Sequence, residues 1–118
     1  MSDACQRAAV TFDDFLAAWR NPSTGASGFA VKLSLVDVAD GRGFAVVRPD
    51  AETTAAVEWF WCGDLAGDGE RFTARVGAEP AALRNVRYGQ IIAFARADVG
   101  DWMYWRNGTI VGNAAARR

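Results

Sequence analysis

The sequence predicts an α+β domain in which one N-terminal helix packs on a strongly curved antiparallel sheet of about six or seven strands. Three observations carry this. Phe12, Phe15, Leu16 and Trp19 fall at i, i+3, i+4 and i+7, the apolar stripe of a short helix. From Phe29 onward the period changes to two, with Phe29, Val31, Leu33 and Leu35 alternating with Ala30, Lys32, Ser34 and Val36. Near the end, Asn107-Gly108 asks for a type I′ hairpin, because both central residues of that turn need positive φ. A partly open barrel is one form in which such a sheet hides its edges.

Each element has its own local reason. Thr11 reads as the helix N-cap, with Asp13 and Asp14 in the first turn where the helix dipole favours them, and Asn21-Pro22 stops the helix. Small residues from Ser23 to Gly28 make a loop before the first strand. Asp40-Gly41 turns the chain, and Gly43 to Val47 returns as a second strand. Arg48 to Ala56 reads either as a short helix capped by Asp50 or as a loop, so the role of 39–56 stays open. Val57 to Cys62 is aromatic and β-favouring, and the Gly63–Gly69 segment reads as a turn. Arg71 to Val76 alternates with Phe72, Ala74 and Val76 inward, until Glu79-Pro80 ends it. Gln90 to Ala95 is the next strand, carrying Ile91, Ile92 and Phe94, and Ile91 and Phe94 are expected to face the core together with Leu33 of the first strand. Asp98 to Gly100 turns into Asp101 to Arg106, and Thr109 to Val111 closes the hairpin.

The 118 residues suit a single domain over 1–118, with loose ends expected at 1–8 and 114–118. Apolar residues make up 51% and the net charge is −1, which excludes a disordered chain. The acidic balance disfavours nucleic acid, since no basic run is present to release counterions. Of the 13 basic residues only Lys32 is a lysine, a bias that favours GC-rich coding over an arginine-built surface. No apolar run is long enough for a membrane span and residues 1–10 do not read as a signal peptide, so the expectation is a cytoplasmic protein with reduced thiols at Cys5 and Cys62.

Histidine is absent, which removes the commonest general base near neutral pH, any Ser-His-Asp or Cys-His system and the usual zinc sites. No phosphate-binding loop is present. Neither a catalytic residue nor a metal ligand nor a cofactor is assigned, and a buried, inert role is favoured for Cys62. The five tryptophans are the other unusual feature. Trp59 and Trp61 share one face of a strand by period two. Trp102 and Tyr104 share one face of a later strand, and Met103 and Trp105 the other.

From Glu58 to Gly112 the chain resembles the YegJ-like family of bacterial proteins, a domain of unknown function. That family opens this stretch with Glu-His-Met-Trp-Val, and here it reads Glu58-Trp59-Phe60-Trp61-Cys62. Phe72-Thr73-Ala74, Glu79-Pro80, Gly89-Gln90, Phe94, Asp101-Trp102-Met103, Asn107-Gly108 and Val111-Gly112 follow in the family's order. Trp59 stands where the family has His, Asp37 to Val57 is longer, and the Thr-rich ending is missing. The resemblance implies the fold and a family with no established activity. For the shared carboxylates an architectural role is favoured: Asp101 accepting backbone N–H bonds at a strand start, and Glu58 held by an Arg or a Trp indole.

Two functions are therefore expected to compete. One is a non-catalytic module that binds another protein through Trp59, Trp61, Trp102 and Trp105. The other is a His-free enzyme or small-ligand binder that uses Glu58 and Asp101, which requires both carboxylates in one pocket.

Overall fold

The computed structural model describes residues 3–38, 41–52, 56–68 and 70–112, with side chains from Phe12 onward. Its elements are α1 (Asp3–Arg20), β1 (Ala26–Asp37), β2 (Phe44–Val47), β3 (Glu58–Gly67), β4 (Arg71–Val76), β5 (Ile91–Ala95), the short 3-10 turn Arg96–Asp98, β6 (Asp101–Arg106) and β7 (Thr109–Gly112). All strand pairs are antiparallel. The order is β5-β4-β3-β1-β6-β7, and β2 pairs with the far end of β1. The sheet does not close into a barrel, since β5 and β7 remain as its two edges.

One face of the sheet receives the helix. Phe12, Phe15 and Leu16 are buried there, as the helical stripe requires. Phe15 sits among Phe12, Phe29 and Trp102, with ring centroids 5.4–5.8 Å away. Phe72 joins this cluster from β4, at 6.0 Å from Phe12 and 5.4 Å from Phe94. Val31, Leu33, Leu35, Phe60, Cys62, Ala74, Val76 and Ile92 complete the core. Among the described residues no helix is long and apolar enough to cross a membrane.

Several boundaries differ from expectation. The helix begins at Asp3, so Thr11 is an interior residue and not its cap. The reason is local: Ala4, Gln6, Arg7, Ala8 and Ala9 are strong helix formers that extend the helix backward. Of the ends expected to be loose, 1–2 and 114–118 lie outside the described residues, while the backbone of 3–8 is helical. The Gly63–Gly69 turn is shorter than expected. The strand continues through Gly67, and a register shift between Gly63 and Ala66 absorbs Asp64, whose φ is 51°. Arg48 to Ala51 forms a turn closed by the Ala51 N–H donating to the Arg48 carbonyl at 3.0 Å, and 53–55 lie outside the described residues.

The hairpin at Asn107-Gly108 has φ of 52° and 81°, both positive as the type I′ turn demands. Leu33 and Phe94 face the core. Ile91 does not: it pairs with Arg75 on the other face and is 55% exposed. Alternation forces this, because Ile91 and Ile92 are adjacent and only one of them can point inward.

Candidate functional site

Strand register places the candidate residues. Residues paired across an antiparallel ladder point to the same face. Val31 pairs with Cys62 and Trp102, and Leu35 pairs with Glu58, so these belong to the core-side face. Lys32 pairs with Trp61 on one side and Asp101 on the other, Ser34 with Trp59, Ala30 with Met103, and Ser27 with Trp105. Those residues share the opposite, outer face.

Trp59 is 39% exposed and Trp105 is 40% exposed, while Trp61, Lys32 and Met103 are half-buried. Beneath them Ser34 is buried and donates its hydroxyl to the Val47 carbonyl at 2.8 Å. The Trp59 ring lies on Gly100, where a Cβ would overlap it, and Gly100 donates its N–H to the Lys32 carbonyl at 2.9 Å. The Lys32 ammonium sits 5.7 Å from the centroid of Trp59 and 5.8 Å from that of Trp61. It is thus held by the negative faces of two indoles.

Asp101 is only 1% exposed, and one of its oxygens accepts the Trp102 N–H at 2.8 Å. The expected backbone-accepting role is therefore the observed one. Trp102 itself is on the core-side face, stacked 6.3 Å from Tyr104 and tilted against Phe15 at 5.4 Å, so it is a packing residue apart from Trp59, Trp61 and Trp105.

Glu58 is held differently from expectation. Among the described residues neither an Arg nor an indole pairs with it. Its carboxylate accepts the N–H groups of Ala81, Ala82 and Leu83 at 2.7, 3.0 and 3.2 Å. Asp37, also on the core-side face, accepts the next two, from Arg84 and Asn85, at 2.9 and 3.1 Å. Two carboxylates thus satisfy five consecutive N–H groups of a non-repetitive segment whose Leu83 and Val86 are tucked into the core. The bonds from Ala81 and Ala82, with a smaller one from Leu83, hold the Glu58 carboxyl below its ordinary value by favouring the charged form.

The structure does not bring Glu58 and Asp101 together. They flank β1 on opposite sides, three residues out of step and on opposite faces, which sets their Cα atoms roughly 14 Å apart by strand geometry. A hollow of about 340 Å³ between β4 and β5 is lined by residues including Arg71, Thr73, Ala93, Ala95 and Asp98, and by none of the six candidates. The residues brought together are Trp59, Trp61 and Asp101, around Lys32, with Trp105 farther along the same face.

The family model for DUF2314, described as an uncharacterized protein conserved in bacteria, matches residues 1–116. The chain belongs to the DUF2314 family. No curated protein and no solved structure matches it.

In this DUF2314 domain, two residues that matter escaped sequence reasoning. Lys32 was legible as the sole lysine on an outward strand position, but its place between two indoles depends on the β1–β3 register. Asp37 ends β1 and carried no signal beyond being a polar residue at a strand end.

Cys62 is the one described thiol, free and fully buried on the core-side face, where burial pushes it up to about 12. Iodoacetamide is expected to leave Cys62 unmodified in a native Cys5→Ser variant and to alkylate it once denaturant is added. Alkylation of the native protein within minutes, read by mass spectrometry, would contradict the packing.

Proposed function

We propose that this DUF2314 domain is a non-catalytic interaction module of the bacterial cytoplasm that docks a protein partner on the outer face of its sheet. The observation that carries the reading is the placement of Trp59, Trp61 and Trp105 on one face with Met103 and Lys32, while the helix covers the other face. Half-exposed indoles supply large contact area at low entropic cost, and they are the residues that most often anchor interfaces. The free, buried thiol suits a reducing compartment. The finer YegJ-like assignment rests on the order of motifs from Glu58 to Gly112, with Trp59 in the place of the family's His. The alternative, a His-free enzyme or ligand binder using Glu58 and Asp101, needs the two in one pocket, and their opposite faces weigh against it.

Affinity capture from a bacterial lysate tests the module. The wild type is compared with a Trp59→Ala/Trp105→Ala variant shown by circular dichroism to remain folded. Recovery of the captured partner is expected to fall by about tenfold or more in the variant. Equal recovery by both proteins would overturn the reading.

A further inference from the structure

We infer that the partner presents an acidic segment, one of whose carboxylates docks on the Lys32 ammonium between Trp59 and Trp61. The inference rests on the reading of the outer face as an interaction surface and names the chemistry that face selects.

The first support is charge. The protein carries a net charge of −1, yet its outer face is not acidic. Among the register positions of that face in β1, β3, β4, β5, β6 and β7, Asp101 is the sole carboxylate, and it is buried. Asp64, in the irregular part of β3, is matched by Arg75 at 3.6 Å. Lys32 pairs in register with the buried Asp101, but no described carboxylate lies within ion-pair distance of its ammonium, which sits over the two rings. Arg71 lies on the same face at the start of β4.

The second support is the position of the ammonium. A cation resting on two indoles is already partly stripped of water, and a carboxylate arriving there meets it in a low-dielectric setting where the attraction is stronger than in bulk water. The indoles then offer apolar walls to the residues on either side of that carboxylate. The same geometry argues against stacked nucleobases, which need the ring faces that Lys32 occupies. An ammonium is a compact point charge, which suits a single carboxylate more than a planar bidentate group.

The test uses fluorescence anisotropy with a fluorescein-labelled peptide of alternating Glu and Tyr, about a dozen residues long. The controls are the same peptide with Ser or Lys for Glu, and a deoxythymidine oligomer of similar length. The full-length protein is expected to bind the Glu peptide most tightly, with affinity falling as salt rises. Lys32→Gln is expected to weaken that binding about tenfold and Lys32→Arg to retain most of it, at unchanged thermal midpoints. Tighter binding of the oligomer, equal binding of the Ser peptide, or no saturable binding of the Glu peptide would each overturn the inference. The lysate capture separates the two levels. If Lys32→Gln leaves capture intact while the Trp59→Ala/Trp105→Ala variant loses it, the surface stands and the acidic class fails. If neither variant changes capture, the surface itself fails.

Discussion

Replacing Phe15 by Ala is expected to lower the unfolding free energy by about 3–5 kcal/mol, the range for truncating a fully buried aromatic. Phe15 is completely buried and touches rings from three parts of the chain: Phe12 on its own helix, Phe29 on β1 and Trp102 on β6. Truncation leaves a cavity that these rings cannot all close, because Phe29 is stacked on Tyr104 at 4.6 Å and Trp102 is held in the β6 ladder. A domain of this size has about 5–15 kcal/mol in total, so the variant should be marginal. Urea melts at constant slope give the value directly. A loss under about 1 kcal/mol would mean that the helix is not bound to the sheet through this residue.

Replacing both Glu58 and Asp37 by Ala is expected to release residues 81–85 and to lower the thermal midpoint by roughly 5–10 °C. Five N–H groups lose their acceptors together, and the segment that places Leu83 and Val86 in the core loses its hold. The single Glu58→Gln variant gives a sharper readout. Amide hydrogen exchange should accelerate at Ala81, Ala82 and Leu83 and much less at Arg84 and Asn85, which depend on Asp37. Equal acceleration across all five would show that Asp37 does not hold Arg84 and Asn85 once Glu58 is lost.

The same residue predicts a pH dependence. Because the folded Glu58 carboxyl is held below its ordinary value, its charged form stabilises the native state. That contribution is fully present above the unfolded glutamate value and is lost as pH falls through the lower folded value. The difference in thermal midpoint between wild type and Glu58→Gln should therefore be constant near neutrality and shrink on acidification. Asp68 is lowered as well, by the N–H groups of Arg71 and Glu70, but it is common to both proteins and cancels in the comparison.

Much of this architecture is written in short-range pattern. The stripe Phe12-Phe15-Leu16-Trp19, the alternation from Val31 to Leu35 and the Asn107-Gly108 turn each place a side chain by its own periodicity, and the structure keeps all three. Where the reading failed, a competing local preference or a distant partner was the reason. Helix-forming residues before Thr11 outweighed its capping chemistry. The glycines after Cys62 formed an irregular strand because β4 was there to pair with it. Edges that closure would have hidden stay open, because β5 and β7 lie at opposite ends of the strand order.

The candidate site divides in the same way. Sequence by itself determined that Trp59 and Trp61 share a face, that Trp105 is opposed to Trp102, and that no histidine chemistry is available, since period two and composition are properties of the chain alone. Tertiary structure decided that Lys32 lies beside the indoles, that Glu58 and Asp37 secure one segment, and that Glu58 and Asp101 never meet. Those facts follow from strand register and from the return of the 81–85 segment, which join residues dozens of positions apart. Local propensity carries no information about such separations, and the burial of the shared core selects them.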